Sequence, residues 1–189
     1  MLWEVEQKFR IDDMRAIESK LAELNARIET PIRQVVRYFN HPQRDFGESD
    51  EALRLRQVSD DNFITYKGPK IDPTTKTRRE LELSLPHGQH VPEEFAELLQ
   101  ALGFREVATV KKIRRTAHVP WEGHQIEIAL DDVLELGSFV ELETTADDES
   151  LNAAKTALAT LAKRLEIVMS ERRSYLEQLL TVTHNRPRT

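Results

Sequence analysis

The chain has no cysteine, which excludes disulfides and any thiolate metal site. It has no apolar run near the ~20 residues that a membrane-spanning helix needs. Its first residues run straight into a strand-like pattern, without the basic and apolar regions of a secretion signal. Aromatic residues are scarce and do not interleave with a basic stripe, so stacking on RNA has no support. There is no excess of positive charge: 27 Lys and Arg face 33 Asp and Glu, for a net charge of −6. That balance argues against general attraction to nucleic acid or a membrane surface, but leaves room for a local cationic pocket. No glycine-rich phosphate loop occurs, because Lys67-Gly68-Pro69-Lys70 does not fit the P-loop spacing, and no G-x-S-x-G marks a serine hydrolase. The expectation is a cytoplasmic protein with no nucleic-acid or membrane partner.

What is present is charge, placed where strands would be. Glu-x-Glu occurs three times in strand-like surroundings: Glu4/Glu6, Glu80/Glu82 and Glu141/Glu143. Side chains on a strand alternate with a period of two, so each pair leaves from one face, opposite Val5, Leu81 and Leu142. Cations obey the same spacing at Arg54/Arg56 and Lys112/Arg114. Lys8, Lys67, Arg78, Glu127 and Asp131 can join them on one face. Glu, Asp and Lys are poor strand formers, so placing them there is locally unfavourable unless a site requires them. The ordinary alternative is a solvated sheet face, with Leu81, Leu83 and Leu142 packed on a core. If the sheet instead curls around that face, buried charges must pair or bind ligands. Carboxylates without cysteine suit Mg²⁺ or Mn²⁺, and Lys and Arg on the same wall suit a polyphosphate. The six histidines are scattered, and His87 and His90, in a Pro/Gly turn, read as surface residues.

A chain of 189 residues can bury a substantial core as one domain. Strands are expected over residues 2–11, 33–40, 52–58, 62–67, 78–85, 107–119, 124–131 and 138–145. Helices are expected after a cap at Asp12 or Asp13, near 92–102, over 149–165, and after a cap at Ser170. Gly68 to Thr77 reads as a mobile loop. Short connections favour an antiparallel α+β arrangement. Strand, helix, strand recurs from Glu4 and from Glu80, which hints at an internal duplication. The organisation expected is one domain over residues 1–180 and a disordered tail over 181–189.

Taken in order, these elements resemble the CYTH family, also called triphosphate tunnel metalloenzymes. The likeness begins at Glu4-Val5-Glu6-Gln7-Lys8, which matches E-x-E-x-K. It continues through Leu53-Arg54-Leu55-Arg56, Thr65-Tyr66-Lys67-Gly68-Pro69, Arg78 with Glu80 and Glu82, and Lys112-x-Arg114. Leu130-Asp131, the run from Gly137 to Glu143, and Arg173-Ser174-Tyr175 complete it. The resemblance implies an eight-stranded antiparallel closed barrel forming a tunnel, with flanking helices and often a homodimer. It implies a divalent-metal enzyme, using Mg²⁺ or Mn²⁺, that acts on a small-molecule triphosphate. Glu4, Glu6, Glu141 and Glu143 would hold metal, and Glu80 and Glu82 would hold a second ion or orient cations. Lys8, Arg54, Arg56, Lys67, Arg78, Lys112 and Arg114 would bind phosphate, and Arg173 would close the tunnel mouth. Lys8 and Asp131 are the catalytic candidates, for orientation or water activation. Where many members read roughly Q-x-D-x-Y-Y-D, residues Gln34 to Asn40 lack both aspartates. The KGP turn and the ending from Arg173 lean toward class IV adenylyl cyclases. Cyclisation of ATP, hydrolysis by a thiamine or inorganic triphosphatase, and a non-catalytic polyphosphate or nucleotide sensor all stay open.

Overall fold

The computed structural model describes residues 3–71 and 75–184. The chain runs β1 (Trp3–Ile11), α1 (Met14–Glu23), β2 (Ile32–Asn40), β3 (Ala52–Val58), β4 (Asp61–Lys67), β5 (Glu80–Leu85) and α2 (Val91–Ala101). It continues through β6 (Arg105–Trp121), β7 (His124–Val133), β8 (Gly137–Ala146), α3 (Leu151–Arg164) and α4 (Tyr175–His184). All eight strands form one antiparallel sheet in the order β1-β8-β7-β6-β2-β3-β4-β5. The sheet curls until its edges meet. Among the described residues the seam carries a short bridge: Lys76 N–H donates to the Glu6 carbonyl at 3.0 Å, and Glu4 and Arg78 exchange two bonds of 3.4 Å. The expected barrel is thus closed by the segment before β5 and not by a full ladder between β1 and β5. Exchanging β1–β4 for β5–β8 carries the strand order onto its own reverse, a topological counterpart of the duplicated sequence pattern.

Local chemistry explains the boundaries. Asp13 caps α1 by accepting from the N–H groups of Arg15 (3.0 Å) and Ala16 (3.2 Å). The β6–β7 turn is Glu122-Gly123, with both residues at positive φ (46° and 82°) as a tight two-residue hairpin requires. The last helix is capped by Ser174 and not by Ser170. Ser174 Oγ accepts from Glu177 N–H at 3.1 Å, and the Glu177 carboxylate accepts from Ser174 N–H at 2.5 Å, a reciprocal capping box. Ser170 instead bridges to Phe9. Because α4 runs to His184, the start of the expected tail is helical; residues 185–189 lie outside the described residues. Within the expected mobile loop, residues 72–74 also lie outside them, whereas Thr75, Lys76 and Thr77 are buried.

The main hydrophobic core lies on the convex side of the sheet. Val5, Phe9, Ile126, Ile128, Val140 and Leu142 pack beneath Ile17 and Leu21 of α1 and Ala154, Leu158 and Leu161 of α3. α2 covers Phe39 and Leu55 through Ala96 and Leu99. α4 sets Tyr175 against Val36, Tyr38, Val110 and Phe139. β5 has no such cover: Leu81 and Leu83 are 47% and 67% exposed, so the expected core packing of these two leucines is not found. Helices therefore claim the apolar face of most strands, and the charged face turns inward.

Candidate active site inside the curled sheet

Alternation along β1 sends Glu4, Glu6 and Lys8 inward, where they are only 9%, 6% and 1% exposed. The solvated-face alternative fails on these values. The inward residues line a cavity of about 540 Å³ together with Arg54, Arg56, Lys67, Arg78, Glu80, Glu82, Lys112, Arg114, Glu141 and Glu143. Asp131, fully buried, stands behind Lys112 and Arg114.

Each strand pair supplies a distinct part of the electrostatics. On β3 and β5, Arg54 lies 3.6 Å from Glu80, and Arg56 donates to both oxygens of Glu82 at 2.8 and 2.9 Å. Lys67 of β4 sits between Glu80 (2.5 Å) and Glu4 (2.8 Å). Glu80 and Glu82 thus orient cations. Opposite them, Asp131 accepts from Lys112 (2.9 Å), from Arg114 (2.7 and 2.5 Å) and from the Tyr175 hydroxyl (2.9 Å). Oδ2 takes three of these bonds and Oδ1 one, so Asp131 holds both cations and Tyr175 in place. Burial opposes its charge, yet Lys112 and Arg114 hold the carboxyl below its ordinary value. Burial likewise opposes Glu141, but Arg114, which also donates to it, and Lys112 hold it well below the usual range.

Glu6, Glu143 and Glu127 fall in one row across three strands. They are direct cross-strand partners on β1, β8 and β7. Like charges placed directly opposite are destabilising. Glu143 finds no ion pair among the described residues, and burial together with Glu4 pushes it up to about 8. This proton-holding carboxyl, in an all-oxygen set with Glu4, Glu6 and Glu127, fits a hard divalent cation such as Mg²⁺ or Mn²⁺. As they stand, no group of three His, Asp or Glu among the described residues is placed to hold an ion, and Lys67 and Lys76 occupy Glu4 and Glu6. Glu141, also expected to hold metal, is ringed instead by Arg114, Lys112 and Lys76.

The cationic side has orphaned donors. Arg78 is 7% exposed and has no ion pair with any described carboxylate. The buried Nε atoms of Arg54, Arg56 and Arg78 have no acceptor. Lys8 donates to the Arg173 carbonyl and lies 4.1 Å from the centre of the Tyr175 ring. Burial, then the Lys76 charge, pushes its ammonium down to about 7. Burial and Arg114 lower Lys112 to about 8. Arg173 is the exception among the expected phosphate ligands. Its guanidinium is paired with Glu171 and its side chain is 55% exposed, away from the cavity lining. Only its carbonyl contributes, because the cap at Ser174 turns the chain at that point.

The family model for the CYTH domain matches residues 2–175. The chain belongs to the CYTH family. Among relatives of this CYTH protein, the adenylate cyclase-like protein MJ0240 of Methanocaldococcus jannaschii is 37% identical over 177 residues, covering 92% of this chain and 97% of that protein. Adenylate cyclase CyaB of Aeromonas hydrophila is 30% identical over 189 residues, covering 95% and 92%. The solved structure of PH1819 from Pyrococcus horikoshii OT3 is 37% identical, with a TM-score of 0.83 over 95% of this chain and 99% of that one.

Two cavity residues of this CYTH protein, Lys76 and Tyr175, escape a reading by strand alternation, and Glu127 escapes only the expected metal set. Lys76 lies before β5 in what reads as a loop, yet is 4% exposed and 2.5 Å from Glu6. Its spacing of two from Arg78 and four from Glu80 is the signal that extends the pattern upstream. Tyr175 opens a helix, where period-two spacing has no meaning. Glu127 shares the inward face but lies outside the expected metal set, because register alone places it beside Glu143.

The raised Glu143 has a consequence for pH. Its folded value, near 8, exceeds the ordinary carboxyl value, so the folded state holds a proton that the unfolded chain releases. Metal-free stability should therefore fall as pH rises from about 5 to 7. Lys8, lowered to about 7, acts in the opposite sense only above that pH. Glu143→Gln should flatten the fall, which urea denaturation at several pH values would measure.

Proposed function

We propose that the protein is a divalent-metal-dependent enzyme acting on the triphosphate of a nucleotide or similar organic molecule, in the manner of class IV adenylyl cyclases. The observation that carries this reading is the buried Arg78, without an ion pair to any described carboxylate, beside the acceptor-free Nε groups of Arg54 and Arg56. Buried cationic donors without partners are costly, and a polyphosphate supplies the missing acceptors. Glu4, Glu6, Glu143 and Glu127 would hold Mg²⁺ or Mn²⁺, which neutralises charge on phosphoryl oxygens when bound. Arg54, Arg56, Lys67, Arg78, Lys112 and Arg114 would grip the phosphates from opposite walls. Asp131 positions Lys112 and Arg114. Lys8, with an ammonium near 7, is suited to exchanging a proton at neutral pH.

The cavity lining also includes an apolar cluster, Val36, Tyr38, Val110, Tyr175 and Leu176. Such a surface favours a triphosphate carrying an organic group over the inorganic ion. The names of MJ0240 and CyaB point to a cyclase. Cyclisation needs a ribose hydroxyl in line with the α-phosphorus, whereas hydrolysis needs water in line with the terminal one. Offering ATP, thiamine triphosphate and tripolyphosphate separately, with Mg²⁺ or Mn²⁺, separates the outcomes. Cyclic AMP with pyrophosphate marks a cyclase, and orthophosphate marks a triphosphatase. Binding without turnover marks a sensor, and absence of binding overturns the reading.

Arg78→Met gives a second check. Removing a buried cation that has no ion pair among the described residues should leave the ligand-free protein as stable or more stable, while tripolyphosphate affinity falls about 10–100-fold, the worth of a charged hydrogen bond. Thermal melts and calorimetry read the two effects separately. Unchanged affinity would place Arg78 outside the phosphate grip.

A further inference from the structure

Lys76 stands apart from the other cavity cations. It does not project from the interior of a strand but from the short bridge that closes the sheet, its own N–H bonded to the Glu6 carbonyl at 3.0 Å. Its ammonium reaches the carboxylate of the same Glu6 at 2.5 Å and lies 4.0 Å from Glu141. Glu6 is the edge of the carboxylate row, with Glu143 directly across from it. The ammonium thus occupies one side of the very pair that an incoming divalent cation would join. Glu141, its second neighbour, faces the phosphate side through Arg114.

Building on the metal-triphosphate reading, we propose that Lys76 is an exchanging counter-cation: it neutralises Glu6 in the empty cavity and transfers to the polyphosphate when a divalent cation takes Glu6. The physical reason is charge balance in a closed space. In the empty cavity the Lys76 ammonium compensates Glu6. A divalent ion held by Glu6 would bring two positive charges against an ammonium at contact distance and repel it. The Lys76 backbone stays pinned to β1, so the displaced ammonium cannot leave the cavity and needs another anion. Glu141 lies already engaged by Arg114. A bound polyphosphate offers free oxygens. Metal and polyphosphate binding are then coupled through one side chain, and the coupling is reciprocal.

The test compares wild type with Lys76→Met, Lys76→Gln and Lys112→Met by calorimetry. Lys112→Met removes the same charge from the same cavity without touching Glu6. With Mn²⁺ alone, both Lys76 variants should bind the ion at least about fivefold more tightly than Lys112→Met does, the lower end of ordinary ligand coupling. With tripolyphosphate alone in chelator, the Lys76 variants should match wild type, because Lys76 is engaged with Glu6, whereas Lys112→Met should bind more weakly. Equal Mn²⁺ shifts in the Lys76 and Lys112 variants would reduce the effect to net charge and overturn the exchange. Weakened metal-free tripolyphosphate binding by both Lys76 variants would also overturn it, since Lys76 would then be a permanent phosphate ligand. If wild type binds no tripolyphosphate under any condition, the proposed function fails and the transfer with it, while the Mn²⁺ comparison separately shows whether Lys76 holds Glu6 against the ion.

Discussion

Asp131→Asn should lower folding stability by about 3–5 kcal/mol, the usual cost of removing one partner from a buried ion cluster. Asp131 is fully buried and accepts from Lys112, Arg114 and Tyr175. Asparagine keeps the volume but loses the charge, and its amide nitrogen would face donors. Two cations would stay inside with only Glu141 to answer them. Tyr175 would lose the acceptor that ties α4 to the cavity wall. Chemical denaturation of the ligand-free protein measures the loss, and a change under about 1 kcal/mol would mean that Asp131 is not the keystone of this cluster. Adding saturating tripolyphosphate should recover part of the loss, because the ligand supplies anionic oxygens to the same two cations.

Glu6→Gln should reduce turnover by about 10²–10³-fold, comparable with losing one electrostatic contact at a reacting centre, with the fold retained. The side chain sits where β1 meets both Glu143 and the seam, so it is shared between the proposed metal and Lys76. Glutamine preserves its size and the backbone bonds to Lys76, which do not involve the carboxylate. Lys76 retains Glu141 nearby as a partial partner. Mn²⁺ affinity should fall together with kcat, and circular dichroism should show an unchanged sheet. A rate within about threefold of wild type would remove Glu6 from the metal set, since that corresponds to well under 1 kcal/mol.

Much of this arrangement is legible along the strands. Period-two alternation identifies Glu4, Glu6, Arg54, Arg56, Lys112, Arg114, Glu141 and Glu143 as one-face residues, because strand geometry leaves no other choice. It also places nearly every strand within a few residues of its observed ends. Alternation is silent where the chain is not a strand. Lys76 in the seam and Tyr175 on a helix therefore need the tertiary structure to bring them in. Arg173 shows the converse: a cation in a matching motif whose guanidinium the Ser174 capping box turns outward to Glu171. Leu81 and Leu83 show that an apolar alternation on β5 does not guarantee a helix to cover it.

The sequence by itself determined which side chains share a face, because that follows from bond geometry within each strand. It also carried, through the order of its motifs, the family to which the chain belongs. Only the tertiary structure decided that the charged face is the inside, and how the charges divide. Helices α1 and α3 take the apolar face, so the sheet must curl its ionised face inward, and the register between β1, β8 and β7 then sets Glu6, Glu143 and Glu127 side by side. Neighbour relations across strands depend on register and closure, which are long-range properties of the folded sheet and leave no mark in any one segment.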